Sequence, residues 1–574
     1  MENYYLENRM PYNSSYPTIP IGGEDYKKLI DNENTYIDKT LLIQEFWQDG
    51  AEVILTPRPR RFGKTLNLSM LKYFFEKTSQ KTAYLFKNTN IWNIAEYRDL
   101  QGKFPVIFLT FKDIKVDSWE SAYEEFTNLL TINIEKLLSP AYPSLTPVEQ
   151  NWYARLVGRS ATEADYSDSL LYATVILERH YQKKVIILID EYDAPIIGAY
   201  LHNYYEKMMG FMRSLLSKVL KTNPALEKGF LTGITRTARE GIFSGLNNLS
   251  VCTILNTDYS DKFGFTQEEV ETLLVSYNLT DKKDDIKRWY DGYVFGQTNI
   301  YNPWSLLNCI KNKGNFDTYW ANTSNNDLIK DLITQSNQII KDDIELLLQG
   351  KILTNKKVDE NVSLRDLRNN SPGFWGMFLS TGYLTAISHT IIDDKYHYTL
   401  AIPNKEITLL YKELVAKAID QTLQSGQTTE LFNALMTGNQ HKLTILLQEF
   451  IANSCSYYDL PKDDPEQSIH MFVLGLLAGL SSRYIIQSNR ESGDGRYDIM
   501  LKPRKSEDPG ILIEFKKAKS DKSKTLRTAA NKAVKQIKAL NYETQLKTFD
   551  YQGPIFCYGI AVYRKHIAII MEKI

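Results

Sequence analysis

One stretch constrains the first half of this chain more than any other: Lys184-Val185-Ile186-Ile187-Leu188-Ile189-Asp190-Glu191-Tyr192-Asp193. Five consecutive apolar residues, Val185 to Ile189, stop abruptly at an acidic cluster. A run that short and that β-branched predicts a strand covered on both faces, as in a parallel sheet packed between helices. The acids then fall at its carboxyl end, where open α/β sheets place their ligands. Asp190 would hold Mg²⁺ through its water shell, and Glu191 would polarise an attacking water. The competing reading is a strand followed by a solvated turn.

A partner motif upstream separates these readings. Val53-Ile54-Leu55 predicts a short strand that runs through Thr56-Pro57-Arg58-Pro59-Arg60-Arg61-Phe62 into Gly63-Lys64-Thr65, then into a helical pattern from Leu66 to Lys77. Strand, tight basic loop, Gly-Lys-Thr and helix form the context of a phosphate-binding P-loop. Amides at the helix start, beginning around Gly63, would cradle phosphate oxygens. Lys64 would bring a point charge to the β/γ-phosphates and Thr65 a hydroxyl to Mg²⁺. Arg58 stands where the general GxxxxGK[ST] pattern has glycine, and two prolines remove amide donors from the loop. Arg60 and Arg61 are expected to supply the charge that the backbone gives up. With the Asp190-Glu191 strand 125 residues after Thr65, the pair predicts ATP binding with Mg²⁺.

The 574 residues leave room for three or four domains, and 43% hydrophobic with 24% charged residues is ordinary for a globular protein. A net charge of −1 gives no global sign of a nucleic-acid partner. The balance is uneven, however: from Cys455 onward there are 20 Lys+Arg against 14 Asp+Glu, a basic tail on a slightly acidic body. Four scattered cysteines (Cys252, Cys309, Cys455, Cys557) make no zinc spacing and predict free thiols. Met1 to Met10 is polar, without the core of a signal peptide, and the longest apolar run, Met471 to Leu480, is too short to span a bilayer. The expectation is a cytoplasmic protein with no membrane partner.

Between these landmarks the pattern predicts a helix over residues 36–46 with Asp38 as a candidate cap, a strand over 104–111, and helices over 119–138, 167–181 and 202–220. Phe230-Leu231-Thr232-Gly233-Ile234-Thr235 predicts a strand with a polar end. In P-loop ATPases such a strand carries a γ-phosphate sensor, so Thr235 and Arg236 are candidates, with Arg236 and Arg239 able to neutralise transition-state charge. Their alternative is surface arginines at a helix start. Three helices are expected over 266–277, 282–290 and 302–311. Residues 374–387 and 396–402 suggest a small winged-helix-like unit, followed by helices over 406–450.

The last 120 residues hold a second constellation. Glu466 opens an amphipathic helix through Leu480, and 483–487 suggests a strand. Gly495-Arg496-Tyr497-Asp498 and Ile511-Leu512-Ile513-Glu514-Phe515-Lys516 then form the arms of a hairpin. Alternation puts Glu514 and Lys516 on one face, and pairing brings Asp498 beside them. Two carboxylates would hold Mg²⁺, and the lysine would serve a water or the strained phosphate. A solvated hairpin with an ion pair is the bland alternative. A lysine-rich stretch, Lys516 to Lys538, leads into a helix holding Gln536 and Tyr542, and strands over 555–562 and 566–571 close the sheet.

The whole resembles bacterial proteins that join a divergent AAA/STAND-type ATPase-like domain to a PD-(D/E)XK nuclease-like domain. The residues that carry the resemblance are Arg58 to Thr65, Leu188 to Asp193, Thr232-Gly233-Ile234-Thr235, Phe263-Gly264-Phe265-Thr266, Trp289-Tyr290-Asp291-Gly292-Tyr293 and Tyr301-Asn302-Pro303. The family's loop also reads RPRRFGK, so Arg58 departs from general P-loops and not from these proteins. The resemblance implies an α/β chain: a P-loop NTPase parallel sheet over 1–265, a helical lid over 266–330, a helical and winged-helix-like middle over 331–450, and a restriction-endonuclease-like α/β domain over 451–574. It implies Glu466 and Gln536 as accessory active-site residues beside Asp498, Glu514 and Lys516. Helical spacing puts His470 one turn after Glu466 on the same face, where a satisfied structural histidine is the favoured reading over a part in the site. It implies nucleic acid as partner, DNA ahead of RNA, and Mn²⁺ as a possible substitute for Mg²⁺. The hypothesis that joins the two sites is that nucleotide state gates cleavage. An oligomer is compatible with it. The competing class is an ATP-latched scaffold whose degenerate nuclease domain only grips its partner.

Overall fold

The computed structural model describes residues 17–574 except 237–241, 244–245, 321–326, 349, 362–363, 365–366, 368–369, 412–413, 415–426, 455–472, 474–476, 478–479, 481–482, 493–494, 506, 544–545, 547–550 and 552. The chain divides into two compact units. The first comprises residues up to Asn337 together with Gln349–Thr408; the second comprises Gln338–Leu348 and Leu409–Ile574. The second unit is therefore discontinuous in sequence.

The first unit is built on five strands: β1 (Val53–Pro57), β2 (Val106–Thr110), β3 (Val185–Asp190), β4 (Leu226–Gly233) and β5 (Leu249–Val251). Their order is β2-β3-β4-β1-β5, and every neighbouring pair is parallel. All six residues of β3 and all five of β1 are buried, which explains why both read as unbroken apolar runs and not as alternating ones. Helices Trp119–Leu138 and Glu163–Tyr181 are found where helical spacing places them. Two local expectations shift. The helix near residue 40 spans only Leu41–Gln48, because the Asp38 carboxylate accepts the amide and hydroxyl of Thr40 and holds the preceding residues out of the helix. The segment after β3 is two helices, Ala194–Leu201 and Tyr205–Leu220, broken where Asn203 adopts a left-handed backbone (φ 61°).

Helices Gln267–Ser276, Lys283–Tyr290 and Pro303–Lys311 follow, with a two-stranded hairpin, β6 (Tyr293–Phe295) and β7 (Thr298–Ile300), between the last two. The unit ends with β8 (Leu353–Lys356), helix Ser371–Ser380, β9 (Thr385–Ile392) and β10 (Lys395–Ala401), the strands forming an antiparallel sheet in the order β8-β10-β9.

The second unit carries β11 (Tyr484–Ser492), β12 (Gly495–Pro503), β13 (Gly510–Lys517), β14 (Ile555–Tyr563) and β15 (His566–Lys573) in sequential order. β13 and β14 are parallel and the other pairs antiparallel. Helices Gln427–Met436 and Gln440–Ser454 cover one face, where Leu435, Leu443 and Ile451 pack on Ile499, Ile513, Phe515 and Tyr558. Helix Ser523–Ala539 covers the other, where Val534 and Ile537 pack on Met500, Leu512 and Cys557. Cys252, Cys309 and Cys557 are free and buried, and Cys455 lies outside the described residues. No described helix is long and apolar enough to cross a membrane.

Candidate functional sites

The P-loop connects β1 to helix Lys64–Phe75 through Gly63, whose φ of 85° places it in the left-handed region. Arg58 is wholly buried, and its guanidinium donates to the carbonyls of Pro57 (2.8 Å), Cys252 (2.6 Å) and Tyr259 (3.2 Å) while lying over the rings of Phe263 and Phe295. Where a general P-loop uses glycine, this chain uses a cation to bolt the loop to the segment after β5. Phe62 packs on Tyr293 and Phe295, and its carbonyl accepts from Gly264. The Trp320 indole donates to the Arg60 carbonyl at 3.2 Å. The motifs around residues 263 and 290 thus form the seat on which the loop rests.

Lys64 is buried and donates to the carbonyls of Arg58 (3.0 Å) and Pro59 (2.9 Å); burial pulls its ammonium below the usual lysine range, opposed by Glu191 and Asp190. The Thr65 hydroxyl donates to one oxygen of Asp190 and the Thr232 hydroxyl to the other, both at 2.8 Å. Desolvation pushes the Asp190 carboxyl up. β4 lies between β1 and β3, so Thr232 reaches Asp190 from the central strand. Glu191 has a left-handed backbone (φ 48°) and stands 3.7 Å from the Lys115 ammonium.

A cavity of about 270 Å³ joins these residues. Its polar lining includes Arg60, Gly63, Lys64, Thr65, Lys115 and Glu191, and its apolar lining Pro20, Ile37, Phe265, Trp304 and Leu307. Arg61 also lines it, its guanidinium 4.2 Å from the centre of the Trp304 ring. A lining that combines cationic with apolar and aromatic side chains suits the phosphates and base of a nucleotide, and the Thr65–Asp190 pair suits a hydrated Mg²⁺.

Thr235 and Arg236 stand elsewhere. The Thr235 amide and hydroxyl both donate to Asp193, and both residues line a small recess with Asp359 and Glu360, not the cavity around Lys64. Asp193 is the acid the sequence left without a role: its buried carboxylate also accepts the Ile234 amide at 2.9 Å and ties the end of β3 to that of β4. Its spacing, three residues after Asp190, was the available signal. Arg239 lies outside the described residues.

In the second unit, alternation along β12 and β13 turns Asp498 and Glu514 toward the face that carries Met500 and Leu512, the face covered by helix Ser523–Ala539. Asp498 accepts the Phe515 amide at 2.8 Å. One oxygen of Glu514 accepts from the Lys516 ammonium at 3.0 Å and from the Gln536 amide, which also donates to the Tyr542 hydroxyl at 3.2 Å. The other Glu514 oxygen is buried with no hydrogen-bond partner. Burial first, and the nearby Asp498 charge second, push the Glu514 carboxyl up to about 7, against the pull of Lys516. A buried acid with an orphaned oxygen beside a second acid is a donor set matched to a divalent cation. Tyr542, wholly buried, completes the cluster without having been assigned a part in it. Glu466 and His470 lie outside the described residues.

Comparison with known proteins covers both regions. A protein of Azotobacter chroococcum, described only as an uncharacterized protein in the vnfD 5' region, is 24% identical over 441 residues, which is 76% of this chain and 77% of that one. Residues 20–243 match the family described as predicted AAA-ATPase, and residues 464–572 match the PD-(D/E)XK nuclease superfamily. The chain is thus similar to the AAA-ATPase-like family over its first region and to the PD-(D/E)XK nuclease superfamily over its last.

Proposed function

We propose that this protein is a metal-dependent nuclease whose cleavage of nucleic acid is governed by ATP bound in its first unit. The convergence of Asp498, Glu514, Lys516 and Gln536 on one face of a sheet, with one Glu514 oxygen left unpartnered, is the observation that carries the reading. Asp498 and Glu514 would hold Mg²⁺ or Mn²⁺, which when bound supplies a Lewis-acid charge for the phosphodiester and a more acidic water. Lys516 orients that water and offsets charge on the phosphate. Gln536 fixes the Glu514 carboxylate, and Tyr542 fixes Gln536.

In the first unit Lys64, with Arg60, would meet the phosphates, Thr65 and Asp190 would hold the hydrated Mg²⁺, and Glu191 would orient a water. Gating has a physical route inside that unit. Trp320, which donates to the Arg60 carbonyl, also gives its own amide to Glu406 at 2.7 Å, and the Ser305 hydroxyl donates to the same carboxylate. Glu406 precedes by three residues the point, Leu409, at which the chain enters the second unit.

The test is incubation of the purified protein with single- and double-stranded DNA and RNA, in Mg²⁺ or Mn²⁺, with and without ATP, beside Glu514→Ala. Metal-dependent scission lost in the variant is expected, as is loss of the ATP effect in Lys64→Ala. Absence of scission under every condition would favour the ATP-latched scaffold.

A further inference from the structure

The chain from Lys516 to Lys538 holds nine basic residues and one acid, Asp521. The structure divides them. Lys516 and Lys538 are paired, with Glu514 and Glu572. Lys524, Arg527, Lys532 and Lys535 on helix Ser523–Ala539 are exposed and form no ion pair with a described residue.

Their placement is not uniform round the helix. At about 100° per residue, Lys532 lies roughly 40° from Gln536, one turn before it on the side away from the core. Thr528, Lys535 and Lys524 follow within roughly a further 80°. Gln536 touches Glu514, so the stripe begins at the margin of the Asp498–Glu514 cluster and runs outward over the solvent face. Leu526, Ala530, Ala533, Val534 and Ile537 occupy the opposite, buried face.

A merely solvated helix face mixes charges and places acids in its first turn. This helix has no acid in its first turn or beyond, carries Lys524 there against its own dipole, and has no side-chain cap. Local stability does not account for such a pattern; a polyanion does. From Lys524 to Lys535 the stripe is about 16 Å long, close to the rise of five successive phosphates on one strand of a duplex. Single-strand binders add aromatic platforms for unstacked bases. Among the described residues of the second unit no Phe, Trp or Tyr is strongly exposed, the exposed large apolar side chains being Ile339, Ile445, Ile485 and Ile574.

Resting on the nuclease reading above, we propose that the Lys524–Lys532–Lys535 stripe is the substrate grip, that it tracks the phosphate backbone of a duplex, and that it reads no bases. The test is anisotropy of a labelled 20-base-pair DNA duplex, and of one of its strands, titrated with the full chain in EDTA between 50 and 200 mM salt. EDTA prevents cleavage, so binding is read by itself. The wild type should bind the duplex tighter than the single strand, with log affinity falling linearly in log salt. Lys524→Gln/Lys532→Gln/Lys535→Gln should flatten that slope by about 2.7, at about 0.9 per phosphate contact, and weaken binding at 0.1 M salt on the order of 10²–10³-fold. The control triple Lys28→Gln/Lys87→Gln/Lys103→Gln, exposed lysines of the first unit, should change neither. An unchanged slope in the stripe variant, with metal-dependent cleavage by the wild type intact, would overturn the grip and leave the nuclease reading standing. Single strand bound as tightly as duplex would overturn the duplex assignment. No binding of either nucleic acid at 50 mM salt would overturn both the grip and the nuclease reading.

Discussion

Arg58 and Glu514 are both buried, and each makes a prediction that runs against simple expectation. Arg58→Gly would bring the loop closer to the general P-loop pattern. It would also remove a guanidinium that satisfies three buried carbonyls and fills the space beneath Phe263 and Phe295. The expected result is a loss on the order of 3–5 kcal/mol, seen as a fall of several degrees in the melting temperature of the first unit. A variant as stable as the wild type would show that the bolt is idle. For Glu514 the sign follows from its carboxyl being raised from 4.5 to about 7. Between those values the folded chain holds a proton that the unfolded chain has released, so this residue's contribution to stability falls as pH rises from about 4.5 to 7. In metal-free buffer Glu514→Gln should flatten that part of the stability curve, and Mg²⁺ affinity in the wild type should rise over the same interval, as chemical denaturation and calorimetric titration at stepped pH would show. A Glu514→Gln curve parallel to the wild type would remove the assigned titration.

At the scale of elements, the Tyr290-Asp291-Gly292-Tyr293 motif shows why part of the architecture is legible in sequence and part is not. Gly292 has φ of 96°, and a Cβ there would come within 2.0 Å of the Pro403 carbonyl oxygen; the Asn404 amide donates to the Asp291 carbonyl beside it. Gly292→Ala should therefore cost at least about 3 kcal/mol and weaken nucleotide binding, because Tyr293 supports Phe62 of the P-loop. Isothermal titration with ATP on the variant would check the second effect. The sequence announced β1, β3, β12 and β13 because a strand buried on both faces needs an apolar run and a hairpin needs alternation. It announced Lys64, Thr65, Asp190, Asp498, Glu514 and Lys516 because local spacing fixes which side chains share a turn or a face. It could not announce Thr232, whose hydroxyl reaches Asp190 only because β4 lies between β1 and β3, nor place Thr235 and Arg236, since strand order is a long-range property.

For the whole molecule, two compact units with separate ligand chemistries should melt in two transitions that calorimetry resolves. ATP with Mg²⁺ at about 100 times its Kd should raise the first unit's transition by about 2.7 kcal/mol and, through the proposed gating, shift the second unit's by less, while Glu514→Gln should move mainly the second. A single transition shifted by both would show that the units melt together.

The second unit also takes one of its helices, Gln338–Leu348, from the middle of the chain. Ile340, Ile344 and Leu347 are buried in the finished protein and lie on one side of that helix. On the ribosome this helix emerges before any strand of the sheet it belongs with. Synthesis of Gln349 to Ile574 takes roughly 10–45 s at about 5–20 residues per second. For that interval the first unit has the five strands of its parallel sheet in hand while an orphaned amphipathic helix waits for its partners, a window in which chaperone supply, and not the stability of the finished protein, sets the yield of active molecules.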